Sequence, residues 1–377
     1  MKKPSANRKT SAPAQAKPAS LPPLLTEVRQ LIQSARRGIS TIVDTFQVMT
    51  NFEIGRRIVE HEQKGAKRAA YGAELLKELS TRLTEEFGRG FSEDNLSNMR
   101  RFFLTWKDRI AEFPNSLFGN LKQPIGKLAE TSISEQPVRK FPFTLSWTHY
   151  QVLLTVKDPD ERSFYEIEAT NSGWSVPELK RQKASCLYER LALSRDKEGI
   201  RKLAREGQVI VRPEDLLKEP FVLEFLGLDD KASYSESDLE QAIINRLEHF
   251  LLELGKGFLF EARQKRFTFD EDHYFVDLVF YNRLLRCYVI IDLKLDKLTH
   301  QDLGQMQMYV NYYDREVKLP EENPTIGLLL CKSAKKTVIE LTLPKGANIH
   351  AKEYNLYLPS KELLKQKLDE WSAAATQ

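Results

Sequence analysis

The chain is short of cysteine, of long apolar runs and of net charge, and each shortage excludes something. Its three cysteines, Cys186, Cys287 and Cys331, are odd in number and far apart, so neither a disulfide framework nor a CxxC zinc site is on offer. Each reads as a small buried hydrophobe. No stretch reaches the roughly 18 to 20 uninterrupted apolar residues of a bilayer span, and the N-terminus lacks the apolar core of a secretory signal. The expectation is a soluble, cytoplasmic protein without a membrane partner. A net charge of +4, from 57 Lys plus Arg against 53 Asp plus Glu, is too small to establish nucleic-acid binding by bulk electrostatics. The chain also lacks a GxxxxGK[ST] phosphate loop, a GxGxxG turn after a strand and a GxSxG elbow, which removes the ATPase, dinucleotide and serine-hydrolase readings. Its histidines show no HExxH spacing, so a zinc protease drops out. His273 and His300 read as solvated loop residues.

What is present is a chain of 377 residues, 41% hydrophobic and 29% charged, enough for real cores and for two or three domains. Residues 1–23 carry Lys2, Lys3, Arg8, Lys9 and Lys17 with no acid and no hydrophobic period, and read as a disordered basic tail. Residues 24–207 read as helical, with an internal loop at 108–143 marked by Pro114, Pro124, Pro137 and Pro142. In the first block Val28, Leu31, Ile32 and Ala35, then Ile39, Val43, Phe46 and Ile54, then Leu75, Leu79 and Leu83 recur at helical spacing. In the second, Trp147, Leu153, Val156, Phe164, Ile167, Leu179, Leu187, Leu191 and Leu193 are the expected core.

A weak echo links the two blocks. Gly90-Phe91-Ser92 with Leu96 matches Gly173-Trp174-Ser175 with Leu179 at an offset of 83 residues. In each copy the glycine can end one helix and the serine can cap the next, with Glu178 completing a capping box in the second. That is a helix-turn-helix-like layout. Asn95, Asn98, Arg100 and Arg101 in one copy, and Lys180, Arg181, Gln182 and Lys183 in the other, are types suited to phosphate and base-edge contacts. The competing reading is ordinary capped helices with solvated charged faces.

After Leu217 the pattern changes. Ser237 to Leu254 reads as one amphipathic helix stopped by Gly255 and Gly257. Strands follow at Phe258–Ala262, Lys265–Phe269, Tyr274–Tyr281 and Cys287–Leu293, then a helix from about Gln301 to Tyr313 and a strand from Thr325 to Cys331. If the strands at 274–281 and 287–293 form a hairpin turning at Arg283 to Arg286, residues whose numbers sum to 569 face each other. Asp277 then opposes Asp292, and Lys294 projects from the same face. Two like carboxylates among Val276, Leu278, Ile290 and Ile291 need a compensating cation. Oxygen donors favour Mg²⁺ or Mn²⁺ over zinc, and a lysine beside them suits phosphodiester hydrolysis. A D-x-K triplet alone means little, since Asp229-Asp230-Lys231 also satisfies it; the strand context carries the argument.

With these elements in this order the chain resembles the PD-(D/E)xK nuclease superfamily. In that pattern Asp277 stands for the first acid, with Val276 at the variable proline position, and Asp292-Leu293-Lys294 stands for the second acid and the lysine. Glu240 corresponds to the acid on the preceding helix, and Gln305 with Tyr309 forms the Q-xxx-Y of a subset of these nucleases. More narrowly the chain looks like the YhcG-like family. The likeness is carried by Phe91-Ser92, Asn95-Leu96, Met99-Arg100, Trp147-Thr148-His149-Tyr150, Gly173-Trp174-Ser175, Asp277 to Tyr281, Gly304-Gln305-Met306 and Asn323 to Gly327.

The resemblance implies a multidomain chain. A helix-turn-helix-like α-helical domain at 24–207, binding DNA or a partner, precedes an α/β restriction-endonuclease-like PD-(D/E)xK domain at 215–360, with a C-terminal helix or tail at 361–377. It implies a Mg²⁺-dependent nuclease, with Mn²⁺ as a substitute, in which Asp277, Asp292 and the Leu293 carbonyl hold the metal. Lys294 orients water, Glu240 assists, and Gln305 and Tyr309 support the site. The expected substrate is DNA. RNA cleavage, and a binding module with a non-catalytic nuclease-like domain, stay open, as do a homo-oligomer and protein partners from restriction or mobile-element systems.

Overall fold

The structure, a computed structural model, describes residues 43–62, 69–111, 142–228, 233–269 and 271–374. The basic tail, the stripe from Val28 to Ile39, most of the 108–143 loop and the Asp229-Asp230-Lys231 triplet lie outside the described residues. The chain divides into two compact units, residues 1–147 and 148–377. Among the described residues no helix is long and apolar enough to cross a membrane.

The first unit is helical where described: α1 (43–62), α2 (Ala69–Phe87) and α3 (Glu93–Ala111). Its core is aromatic. Phe52, Phe102 and Phe143 meet with ring centroids 4.8 to 5.8 Å apart, and Val48, Leu96 and Met99 are buried as well. A Cβ on Gly55 would sit 2.0 Å from the Met99 carbonyl oxygen, so only glycine lets α1 lie this close to α3. Two expectations are corrected here. Val43 is 58% exposed rather than core, and Leu75, Leu79 and Leu83 are only half-buried. Helix α3 also runs to Ala111, past the expected loop start, with Ile110 and Ala111 in its last turn.

Short helices follow from the boundary onward: α4 (Trp147–Leu153), whose first residue belongs to the first unit, then α5 (Pro159–Ser172), α6 (Val176–Ala184), α7 (Leu187–Ala192) and α8 (Lys197–Glu206). The echoed motif caps helices as its chemistry requires. Gly173 ends α5 at φ 64°, and Ser175 starts α6 in a reciprocal box with Glu178. In the other copy the Ser92 hydroxyl accepts from Asn95 N at 3.3 Å, and Leu96 is buried as Leu179 is.

The remainder is a six-stranded mixed sheet ordered β1-β6-β5-β4-β3-β2: β1 (Phe221–Val222), β2 (Phe258–Phe269), β3 (Asp272–Asn282), β4 (Cys287–Leu293), β5 (Ile326–Cys331) and β6 (Ile349–Asn355). Strands β2, β3 and β4 are antiparallel neighbours, while β4, β5, β6 and β1 run parallel. One face carries α9 (Glu236–Asn245) and α10 (Leu247–Leu254), which bury Leu239, Ile243, Phe250 and Leu254 against Leu278, Phe280 and Ile291. The other carries α11 (His300–Tyr312), which buries Leu303, Met306 and Tyr309 against Val279, Ile290 and Leu329. A Cβ on Gly327 would meet Met306 at 2.8 Å, so β5 needs glycine where α11 crosses it. Helices α12 (Lys336–Thr342) and α13 (Lys361–Ala374) complete the unit.

The expected single helix at 237–254 is two. The chain bends at Arg246, at φ −125° and ψ 32°, whose N–H is shared between the Ala242 and Ile243 carbonyls. The bend aims Glu253 at a buried guanidinium. Conversely, the expected strands at 258–262 and 265–269 are one strand, with a register shift between Phe260 and Ala262. Strand β6 carries no sustained apolar run and is held by backbone pairing to β5.

The α4–α8 helices are tied to the sheet by a buried polar cluster. Arg190 on α7 and Glu253 on α10 are both fully buried and form a two-pronged ion pair. Arg190 also donates to the carbonyls of Ser185 at 2.7 Å and Pro220 at 3.0 Å. Glu253 further accepts from Val222 N at 3.0 Å and pairs with Arg181. Lys218 donates to its carbonyl.

Candidate active site

The site is set by a turn. Asn282, fully buried at the end of β3, accepts with its side-chain oxygen from Leu284 N and Leu285 N at 3.0 and 3.1 Å and donates to the Lys256 carbonyl. Asn323 holds the same turn by donating to the Leu285 carbonyl at 2.7 Å. A turn fixed at that point fixes the register of everything beyond it. The pairs from Asn282–Cys287 to Leu278–Ile291 all sum to 569, as expected. Asp277 and Asp292 are the next step of that ladder.

At that step the carboxylate of Asp277 accepts from Leu293 N with one oxygen at 2.9 Å, and from the Gln264 amide with the other at 2.9 Å. Asp292 is 4% exposed. Its Oδ2 lies 2.8 Å from Lys294 Nζ yet receives no well-directed hydrogen bond. Burial first, and then the charge of Asp277, push the Asp292 carboxyl up to about 7 despite that ammonium. Burial works against the Lys294 ammonium, but Asp292, by charge and contact, together with Glu236 and Asp277, outweighs it, so the lysine is raised above its ordinary value. Its Nζ is also 4.0 Å from Glu236.

Two capping boxes aim the flanking helices. Ser235 with Asp238 starts α9, carrying Glu236 and Glu240, and Thr299 with Asp302 starts α11, carrying Gln305 and Tyr309. Gln305 Nε2 donates to Tyr309 Oη at 2.6 Å, and Tyr309 Oη donates to the Phe275 carbonyl at 3.0 Å. The Q-xxx-Y pair therefore grips β3 two residues from Asp277. Burial first, then the nearby Asp292, push the Tyr309 phenol up to about 12, so it stays a donor. Glu240 is 4% exposed and bound by Arg263 and Gln264 of β2. The structure thus brings Asp277, Asp292, Lys294, Glu240 and Tyr309 to one end of the sheet, with Gln305 behind Tyr309.

Sequence reasoning missed Glu236, Arg263 and Gln264. The last two fell in the gap between two expected strands, where nothing in composition marks them. His273 bonds Thr268 within the β2–β3 hairpin at 2.9 Å, and His300 is an exposed first residue of α11.

The six residues expected to contact nucleic acid are placed differently. Asn95 donates to the Gly90 carbonyl and accepts from Trp147 Nε1 at 2.8 Å, and Arg100 pairs with Glu62 at 2.7 Å. Arg181 spans Glu224 and Glu253, and Lys183 donates to the Thr155 hydroxyl. Lys180 and Arg101 are exposed.

The donors suit a hard divalent cation. Among the described residues no three carboxylate, imidazole or thiol groups form a complete cage. Two carboxylates and a backbone carbonyl, with Asp292 Oδ2 buried and under-satisfied, match an ion such as Mg²⁺ that keeps several of its waters. Without a divalent ion, burial beside Asp277 penalises the Asp292 carboxylate more than the Lys294 ammonium offsets. Asp292→Asn is therefore expected to raise the melting temperature in EDTA by a few degrees; an unchanged or lower melting point contradicts that penalty.

Two family profiles match this chain. One described as the YhcG PDDEXK nuclease domain covers residues 214–369, and one described as the DUF1016 N-terminal domain covers residues 27–190. The provisionally named nuclease YhcG of Escherichia coli (strain K12) is 43% identical over 346 residues, spanning 90% of this chain and 91% of its own. Among solved structures, a repair endonuclease from Pyrococcus abyssi overlaps 35% of this chain and 51% of its own at 18% identity and TM-score 0.24. A complex of EndoMS with double-stranded DNA overlaps 35% and 49% at 15% identity and TM-score 0.24. Overlaps at that score bear on neither fold nor function.

Proposed function

Because the chain belongs to the YhcG family, with a PD-(D/E)xK nuclease domain as its C-terminal part, we propose that it is a metal-dependent nuclease that hydrolyses phosphodiester bonds in DNA. What supports this reading is the β3–β4 register, whose next step past the Leu278–Ile291 pair brings Asp277 and Asp292 opposite one another, with Lys294 2.8 Å from the second acid. Asp277, Asp292 and the Leu293 carbonyl would hold Mg²⁺, or Mn²⁺ in its place. When bound, that ion supplies positive charge to the scissile phosphate and lowers the pKa of water.

The chain's own residues do the rest. Lys294, held protonated by its acidic neighbours, is a donor at neutral pH rather than a base. It orients the attacking water and balances charge growing on the phosphate oxygens. Tyr309 and Gln305 keep β3 in place, so the two acids stay opposed. Residues 24–207 form the part that binds nucleic acid or a protein partner in a helix-turn-helix-like manner, with the exposed Lys180 the residue to test first.

The test is cleavage of labelled duplex DNA, single-stranded DNA and RNA by the full chain with Mg²⁺, Mn²⁺ or EDTA. DNA cleavage supported by either metal and stopped by EDTA is expected. Cleavage of RNA alone would replace the substrate, and binding without cleavage in every condition would replace the enzyme by a binding module.

A further inference from the structure

Strand β2 departs from its own pattern at one residue. The pairs Arg263–Leu278 and Lys265–Val276 put Gln264 in register with Asp277. Gln264 nevertheless has φ 47°, in the left-handed region, a conformation that a residue with a Cβ adopts only under constraint. What the constraint achieves is visible in the side chain. Its Nε2 donates to Glu240 Oε2 and, at 2.9 Å, to Asp277 Oδ1.

Both partners are carboxylates and so accept only, which fixes the amide's orientation and uses both of its hydrogens. The chain of bonds is closed at each end. Arg263 takes the other oxygen of Glu240, and Leu293 N takes the other oxygen of Asp277. An ammonium or guanidinium in place of the amide would cancel the negative charge that a cation needs. A neutral donor orients the acid and leaves its charge intact.

We infer that Gln264 is a positioning residue of the metal site, and that Glu240 acts through it: the helix acid holds the amide, and the amide sets the rotamer in which Asp277 meets a divalent cation. This rests on the metal-dependent reading above. It gives Glu240 a role one residue removed from the cation, and it gives a reason for a glutamine at a position where glycine would be unstrained.

Mn²⁺ titration calorimetry and melting in EDTA on the full chain, comparing wild type with Gln264→Gly, Gln264→Asn and Asp277→Ala, test it. Glycine and asparagine both tolerate a left-handed backbone, and neither spans the two carboxylates. The expected result is a melting point at or above wild type with Mn²⁺ affinity lowered about tenfold or more. Glu240→Gln should show a similar loss, and adding it to Gln264→Gly should cost nothing further. A purely structural role would do the reverse, lowering the melting point and sparing the affinity. Wild-type affinity in both Gln264 variants, with affinity lost in Asp277→Ala, would overturn this inference and leave the metal site standing. Wild-type affinity in Asp277→Ala as well would remove both. Fully additive losses would give Glu240 a separate role and overturn the relay.

Discussion

Lys294→Ala is expected to lower the rate of phosphodiester cleavage by roughly 10³-fold, the scale seen when a group that stabilises transition-state charge is removed, while leaving the protein folded. The asymmetry follows from the local electrostatics. Lys294 is the cation in contact with Asp292, so the reaction loses the ammonium that orients water and offsets charge on phosphate. The fold loses little, because the Asp292 carboxyl already sits near 7 and takes up a proton when its partner goes. Single-turnover cleavage with a matched melting curve separates the two effects. Lys294→Arg should recover only part of the rate, since a planar guanidinium does not fill the place of a compact ammonium. A rate within a few fold of wild type for the alanine variant would remove Lys294 from the chemistry.

The largest effect on stability is expected at Glu253. Its carboxylate is fully buried and satisfies Arg190 with two hydrogen bonds while also meeting Arg181 and Val222 N. Glu253→Ala strands Arg190 in the interior, and breaking a buried pair from one side costs about 3 to 5 kcal/mol. For a unit of this size that is a fall in Tm of about 10 °C. Acid titration gives an independent signature. Burial by itself raises the Glu253 carboxyl, but Arg190, Lys218 and Arg181 outweigh it and hold it down to about 2. A folded-state value below the unfolded one means the pair stabilises the protein above roughly pH 4.5, and that contribution is lost as pH falls toward 2. Wild type should lose stability across that window, and the alanine variant should show a flatter acid limb. Equal acid sensitivity in both would show that the pair does not set it.

The β3–β4 hairpin was legible in the sequence because a strand's period is two and a four-residue turn leaves no freedom. With the turn at 283–286, the observed register from Asn282–Cys287 to Leu278–Ile291 is the expected one, and Asp277 and Asp292 lie one step beyond it. Tyr309 and Gln305 were legible as a pair on one helical face, though not the bond from Tyr309 to the Phe275 carbonyl, which depends on how closely α11 packs. Gln264 was not legible. Its side chain is held by Asp277 and Glu240, both distant in sequence, and no local preference announces a left-handed glutamine in a strand. Arg181 shows the opposite failure. It stands among cations on a capped helix, as a phosphate-binding residue would, but the bend at Arg246 brings Glu253 within 3.3 Å of it and binds it inside the protein.

The central claim is that the Asp277–Asp292–Lys294 constellation cleaves DNA with a divalent metal. The most direct test is a single assay of labelled duplex DNA with wild type in Mg²⁺, wild type in EDTA, and Lys294→Ala in Mg²⁺. The account predicts cleavage in the first alone. Cleavage that survives EDTA or the substitution would contradict it.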